Sequence, residues 1–194
     1  MLRFSLLLIG LSVFHNSNAD KKNLNKNFYP KEEQVNWVNS FNTFRSAITK
    51  NDLAKVKQFI DFPVMNENNE IWHLAYDNDE KLIGKLPAKI QPFTATDFDK
   101  YAAKIFTKRF INTIEKINTD ELFSKGESKT SEFKDGKITY KMYATYDKES
   151  QTISLNLAMQ TEDRSEDNGM FNIIYQFDIV NGADIKFKQV RLAG

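Results

Sequence analysis

The spacing of apolar residues changes once along this chain of 194 residues, and this change constrains the fold more than any other feature. Before about residue 130, apolar side chains recur every three or four residues, which is the period of an amphipathic α-helix. After that point they alternate with polar side chains, as in a strand with one buried face. The pattern predicts an α+β fold, in which N-terminal helices pack on a curved C-terminal antiparallel sheet.

The first part of the helical half predicts two helices. The helical period starts at Lys31, and Asn51-Asp52 ends the first helix and can cap the second. Pro63 ends the second helix, because the residue before a proline is pushed out of the α region. The apolar residues that define the two helices are Val35, Val38, Phe41, Phe44, Ile48, Leu53, Val56, Phe59 and Ile60.

A strand and a third helix are predicted next. Residues 71–75 are short and rich in apolar side chains, which favours a strand, and residues 77–92 are polar and irregular. Thr96 is the predicted N-cap of the third helix. Its apolar stripe begins at Phe98 and extends to Ile117, with or without a break near Asn112.

The second half of the chain predicts four strands in an antiparallel meander. Asn181-Gly182 between two alternating segments is the strongest short signal for a hairpin. In the last strand the apolar residues stand at odd positions up to Phe187 and at even positions from Val190 onward. This change predicts a β-bulge between them. The alternating segments are 138–146, 153–159, 171–179 and 185–192.

The N-terminus has the layout of a secretory signal peptide. Arg3 carries one positive charge, residues 6–11 are apolar, and Ser17-Asn18-Ala19 presents small residues at the spacing of a cleavage site. Residues 20–30 are polar and predict a flexible lead-in, so that residues 31–194 form a single domain. We expect cleavage near Ala19, export to the periplasm or beyond, and no membrane span after leader removal.

Charge and composition exclude several classes of function. Removing residues 1–19 takes away Arg3 and no acidic residue, which leaves 26 basic and 26 acidic residues. A neutral balance gives no long-range attraction for nucleic acid or anionic lipid. The chain has no cysteine, and His73 is the one histidine left after the leader, so neither a zinc site nor any cofactor is predicted.

Two segments carry a resemblance to a known superfamily. FNTFRSAITKNDLAKVKQFIDFPV (Phe41 to Val64) and TATDFDKYAAKIF (Thr94 to Phe106) are similar to helices of small exported bacterial proteins of the nuclear-transport-factor-2-like superfamily, the cystatin-like α+β cone. The resemblance covers residues 32–192. It implies a cavity between a curved sheet and its helices, which some members use for catalysis with a buried Asp or His and many use for binding or pairing.

The candidate ligand-binding residues are aromatic. Trp72, Tyr140, Tyr175 and Phe177 suit the lining of such a cavity, although ordinary core packing is the commoner role of such residues. The strand residues expected to face inward are nearly all apolar, so no catalytic residue is assigned.

The expected function is therefore a non-catalytic exported binding or interaction module, with a small molecule or a protein as its partner. One alternative is an isomerase or hydrolase that uses His73 or Asp77 as a base inside the cone. A second is an immunity-type inhibitor of a toxin, which would use the acidic loop 162–169 to plug the toxin's site. Pairing of two copies through the open sheet face is a third interpretation.

Overall fold

The computed structural model describes residues 36–162 and 170–194, which all belong to one unit, Val35–Gly194. The predicted leader, the lead-in and all but the first residue of the acidic loop lie outside the described residues, so those predictions stay predictions. Within the described ranges, no helix combines the length and the apolar character needed to cross a membrane.

The described part of the chain contains seven α-helices and eight strands. The helices are α1 (Trp37–Thr49), α2 (Leu53–Val56), α3 (Glu70–Ala75), α4 (Glu80–Ile83), α5 (Ala95–Ile105), α6 (Lys108–Ile114) and α7 (Thr119–Lys125). The strands are β1 (Val64–Met65), β2 (Pro92–Phe93), β3 (Glu127–Lys129), β4 (Phe133–Asp135), β5 (Ile138–Asp147), β6 (Thr152–Thr161), β7 (Met170–Val180) and β8 (Asp184–Ala193).

The first two helices form on the predicted apolar stripes, but their bounds differ from the prediction. Helix α1 begins at Trp37, and residues 31–35 lie outside the described residues. Helix α2 ends at Val56 and continues as the 3₁₀ helix Lys57–Phe59, so the helical segment ends before Pro63. Asn36 caps α1, because its side chain accepts a hydrogen bond from the backbone N–H of Val38 at 2.9 Å. Asp52 caps α2 by accepting from the N–H of Lys55 at 3.0 Å, which confirms the predicted break and cap. The residues of α1 buried against the rest of the domain are Trp37, Phe41, Phe44, Ala47 and Ile48.

The strand predicted for residues 71–75 is wrong, because this segment forms α3. A short apolar run cannot distinguish a buried strand from a buried helix by its periodicity. Here Ile71, Trp72, Leu74 and Ala75 are buried, and their spacing places them along one side of a helix. His73 lies between them in sequence but is only half-buried.

The third predicted helix begins two residues earlier than expected and breaks at a different place. Thr94, not Thr96, is the N-cap of α5. Its hydroxyl accepts from the N–H of Asp97, whose carboxylate accepts in return from the N–H of Thr94. The break falls at Thr107, which caps α6, and Asn112 lies inside that helix.

The meander is confirmed and belongs to a larger sheet. The six strands of the curved antiparallel sheet follow the order β3-β5-β6-β7-β8, and β4 also pairs with β5. The predicted bulge is present, since Gln176 pairs with Gln189 but Phe177 pairs with Phe187, which leaves Lys188 as the extra residue. Helices α4 and α7 and the short strands β2, β3 and β4 were not predicted, and α4 lies inside the segment 77–92 that was expected to be irregular.

One face of the sheet packs against the helices and forms the core. The alternate residues of β5 to β8 that face inward are buried, as the period-2 pattern predicts. Phe106, at the end of α5, lies at the centre of this layer, with its ring 5.7 Å from that of Phe44 and 5.8 Å from those of Tyr175 and Phe187. Aromatic pairs of this kind add to the stabilisation from apolar burial.

Strand β8 lies at one edge of the sheet, and residues from the helical half occupy that edge. Asn66 is fully buried, and its side chain accepts from the N–H of Val190 and donates to the C=O of Val190, each at 2.9 Å. It therefore pairs with the strand as a neighbouring backbone would. Four contacts of this kind follow one another along β8. They are Ser40 with Ile185, Ile60 with Phe187, Asn66 with Val190, and Glu70 with Leu192.

Candidate functional site

The structure places Tyr175 and Phe177 in the centre of the core, on the inner face of β7. Neither side chain has any exposed surface. The hydroxyl of Tyr175 donates to the C=O of Ile105 at 2.8 Å. Burial raises the pKa of Tyr175 well above its ordinary value, so the phenol stays neutral and keeps this hydrogen bond. The ring of Phe177 contacts Phe44 with 5.1 Å between centroids.

Trp72 and Tyr140 lie in two other surroundings. The indole N–H of Trp72 donates to the C=O of Gln91 at 3.3 Å. Tyr140 stacks on Phe133 with 5.5 Å between ring centroids, and its hydroxyl accepts from Nδ2 of Asn112 at 3.3 Å. The four predicted residues thus belong to one hydrophobic core, but their rings contact different neighbours and not one another. Ligand binding by them stays a prediction.

Aromatic and aliphatic side chains fill the space between α3, α5 and the sheet. The gap that remains in this layer is too narrow to hold a water molecule, since the volume open to the centre of one is about 0 Å³. This part of the interior is therefore closed to a ligand. The residues that line the gap are Ile60, Phe62, Val64, Ile71, Phe93, Phe98, Ile105, Phe106 and Phe187.

The two residues considered as a catalytic base lie on α3 and just after it. Asp77 is on the surface, with three quarters of its side chain exposed, and its carboxylate pairs with Nζ of Lys104 at 2.7 Å. His73 is half-buried at the side of α3. Asp77 therefore does not project into the interior between the helices and the sheet.

A surface pocket lies on the opposite face of the sheet, at the end where β5, β6 and β7 meet. We call it the sheet pocket; its volume is about 120 Å³. Side chains alternate between the two faces of a strand, so Lys141 and Tyr143 point away from the core that holds Tyr140. The lining residues are Glu132, Thr139, Tyr140, Lys141, Tyr143, Ala158, Met159, Gln160 and Met170.

The sheet pocket has apolar walls and a charged rim. Tyr143 and Met170 are 38% and 57% exposed, which is high for large apolar side chains, whereas Ala158 between their strands is buried. Nζ of Lys141 lies 3.1 Å from Oε1 of Glu132 and 5.2 Å from the ring centroid of Tyr143. The hydrogen bond to Tyr143, followed by that to Glu132, raises the pKa of Lys141, which keeps its ammonium charged.

An amide on this outer face lacks a partner. Asn156 is in register with Tyr143 on β5 and with Ile174 on β7. Its Oδ1 is buried and accepts no hydrogen bond, a state that costs free energy in a folded protein. The packing of this face therefore excludes water from Oδ1 of Asn156 without supplying a donor.

A signal for the sheet pocket was present in the sequence. Strict alternation of apolar and polar residues would place a polar side chain at position 143 of β5 and at position 158 of β6. The chain has Tyr143 and Ala158 there instead. Apolar residues at outward positions of two paired strands indicate an apolar patch on the open face of a sheet. The predicted candidates Trp72, Tyr140, Tyr175 and Phe177 do not include these outward positions.

The described residues contain no group of three or more His, Cys, Asp or Glu side chains arranged to hold a metal ion. No protein-family model, no curated protein and no solved structure matches this chain.

Proposed function

We propose that this protein is an exported, non-catalytic interaction module, and that the sheet pocket binds one apolar side chain of a partner protein. The observation that carries the proposal is the pair of exposed apolar side chains, Tyr143 and Met170, beside the buried Ala158 on the open face of the sheet. Covering such a surface is favourable, at about 25 cal/mol per Å² of apolar area removed from water.

The size of the sheet pocket decides what it can hold. Pockets for whole small-molecule ligands measure roughly 300–1,000 Å³. The sheet pocket has a volume of about 120 Å³, which suits a single side chain of the size of leucine or methionine. The Lys141–Glu132 pair at its rim offers one donor group and one acceptor group to the polar atoms around such a side chain.

A titration with single-residue amides tests this proposal. We expect N-acetyl-leucinamide to shift the NMR signals of Tyr143, Ala158 and Met170 at millimolar concentrations, because it places an isobutyl group in the pocket. N-acetyl-glycinamide, which lacks a side chain, is the matched ligand and should leave these signals in place. The Tyr143→Ser/Met170→Ser double variant should lose the response to N-acetyl-leucinamide.

Shifts that are equal for the two amides, or that persist in the double variant, would overturn the proposal. Light scattering on the same samples tests whether the partner is a second copy of this chain. If it is, the measured mass of the unaltered protein doubles as the concentration rises, whereas the double variant stays a monomer. Both substitutions lie on the open face of the sheet, so the variant should retain its fold.

We also propose that the fold is a relative of the nuclear-transport-factor-2-like cone. Its support is the curved antiparallel sheet with helices packed on one face. The resemblance of residues 41–64 and 94–106 to that superfamily gives the same assignment. In this proposal the binding surface lies outside the cone, on the face that the helices leave open.

Export is the remaining part of the proposal, and it depends on the layout of residues 1–19. We expect that a full-length chain expressed in a Gram-negative bacterium is recovered from the periplasmic fraction with Asp20 as its first residue. Mass spectrometry of the intact protein measures the cleavage site directly. Recovery of the uncleaved chain from the cytoplasmic fraction would contradict export.

A further inference from the structure

A polar groove runs along the exposed side of α1, on the opposite side of that helix from the core. Its volume is about 380 Å³, and an adjoining groove of about 470 Å³ shares Asn42, Ser46 and Lys50 with it. We call the first the α1 groove. It is lined by Asn42, Arg45, Ser46, Thr49, Lys50, Glu115 and Lys116.

Arg45 is held in a fixed position at the floor of the α1 groove. Its Nη1 donates to the C=O of Ile117 at 2.8 Å, and its Nη2 donates to Oδ1 of Asn42 at 2.7 Å. A guanidinium group has five N–H donors, so three of them stay available. Because the two bonds fix the plane of the guanidinium, little side-chain entropy is lost when a ligand binds the rest.

The α1 groove presents hydrogen-bond donors and few acceptors. Oδ1 of Asn42 already accepts from Arg45 and from the hydroxyl of Thr119, so the amide can offer only its Nδ2 donors. Backbone N–H groups of residues 50–52 occupy the carbonyl oxygens of Ser46, Ala47 and Ile48 at the end of α1. These three carbonyl oxygens therefore already have donors and do not compete for the N–H groups of Arg45.

The groove is also locally basic. Arg45, Lys50 and Lys116 all line the groove, and none of them forms an ion pair with a described carboxylate. Among the described residues that line the α1 groove, Glu115 is the one with an acidic side chain. Three basic residues and one acidic residue give the lining a net charge of +2. The whole chain has a formal net charge of only +1.

We propose that the α1 groove binds a tetrahedral oxyanion, the phosphate or sulfate group of a small ligand. Such a group is rich in acceptor oxygens and carries the charge that the groove lacks. The planar guanidinium group of Arg45 donates hydrogen bonds to two oxygens of the oxyanion. The flexible ammonium groups of Lys50 and Lys116 contact the oxyanion from the rim of the groove. The site is independent of the sheet pocket, since the two share no residue.

A titration with three related sugars tests this site. Glucose 6-phosphate and glucose 6-sulfate present the two oxyanions on the same scaffold, and unmodified glucose presents neither. We expect at least one of the two esters to bind with a Kd of about 5 mM or below at low salt, measured by NMR shifts of Asn42, Arg45 and Ser46. Binding should weaken as salt is added, because the lysines are exposed. The tighter ester identifies the source of the oxyanion.

Matched variants separate this site from a general effect of charge. Lys50→Gln/Lys116→Gln should weaken binding about tenfold or more, since two ammonium contacts are lost. Lys81→Gln/Lys85→Gln removes the same charge from exposed positions near α4 and should change the Kd by less than about twofold. Neither pair of substitutions touches the core.

Three results would overturn the proposal. They are the absence of shifts at the α1 groove with both esters, equal binding of unmodified glucose, and equal weakening by the two pairs of substitutions. The last would mean that the esters respond to net charge and not to the arrangement around Arg45. Survival of the N-acetyl-leucinamide response in Lys50→Gln/Lys116→Gln would show that any loss is confined to this site.

Discussion

Replacing Phe177 by alanine should lower the free energy of unfolding by about 3–5 kcal/mol, the range measured for deletion of a buried phenyl ring. The side chain has no exposed surface, and its ring contacts Phe44 and Phe187 at 5.1 and 5.6 Å between centroids. The cavity that alanine leaves is surrounded by the sheet and by α1. Neither element can close it without breaking contacts elsewhere.

Urea denaturation followed by far-UV circular dichroism measures this change. Tyr143→Ala is the matched control, because it also removes an aromatic ring from the sheet, but from the open face. We expect the control to cost less than about 1 kcal/mol, as is usual for substitutions at the surface. If both variants lost the same stability, the inner face of the sheet would not be the core.

The second large effect is expected at Asn66, whose side chain replaces a neighbouring strand at the edge of β8. Asn66→Ala leaves the N–H and C=O of Val190 buried without partners, at a cost of about 1–3 kcal/mol for each group. We therefore expect a loss of about 2–6 kcal/mol in the free energy of unfolding, measured by the same denaturation experiment. An effect below about 1 kcal/mol would mean that water reaches Val190 in the folded protein.

Asn66→Asp tests the hydrogen bonding at constant size. At neutral pH its carboxylate accepts from the N–H of Val190 but faces the C=O of Val190 without a proton to donate. Burial and this contact raise the pKa of the introduced carboxyl group in the folded state above its unfolded value. The deficit relative to the unaltered protein should therefore shrink as the pH falls from about 7 to about 4.5. A deficit that does not change with pH would contradict this account.

The strands could be predicted from the sequence because, with few exceptions, apolar and polar side chains alternate along each of them for about ten residues. In β5, Tyr140, Met142 and Ala144 are buried while Lys141 and Tyr143 point outward, and no helical pattern fits the same residues. Even the bulge is visible, since an extra residue reverses the parity of the last strand between Phe187 and Val190.

The short elements could not be predicted in the same way. Residues 70–75 span too few positions for a period to appear, and tertiary packing of Ile71 and Trp72 selects the helix. Strands β3 and β4 have three residues each and are mostly charged, so that pairing with β5 alone defines them. The start of α5 was misplaced because Thr94 and Thr96 are both suitable caps, and the box with Asp97 decides between them.

The sheet pocket could be predicted from the sequence, whereas the α1 groove could not. The sheet pocket has a local signature, since Tyr143 breaks the alternation of β5 with a large apolar side chain on the open face. The α1 groove has none, because the bond that positions Arg45 reaches Ile117, which lies 72 residues away in the chain. A basic residue on a helix is ordinarily solvated. Only the three-dimensional contact distinguishes this one.

The occupied edge of β8 has a consequence for how copies of this protein can associate. Cross-β fibrils grow when the open hydrogen-bonding groups of one sheet template a strand of the next chain. At β8 an incoming strand would first have to displace Asn66 from Val190, and with it the segment that leads into α3. The opposite edge is interrupted between β3 and β4, and both of its strands carry lysine and acidic side chains that are poorly suited to fibril growth. Concentrated solutions of the folded protein should therefore resist amyloid formation.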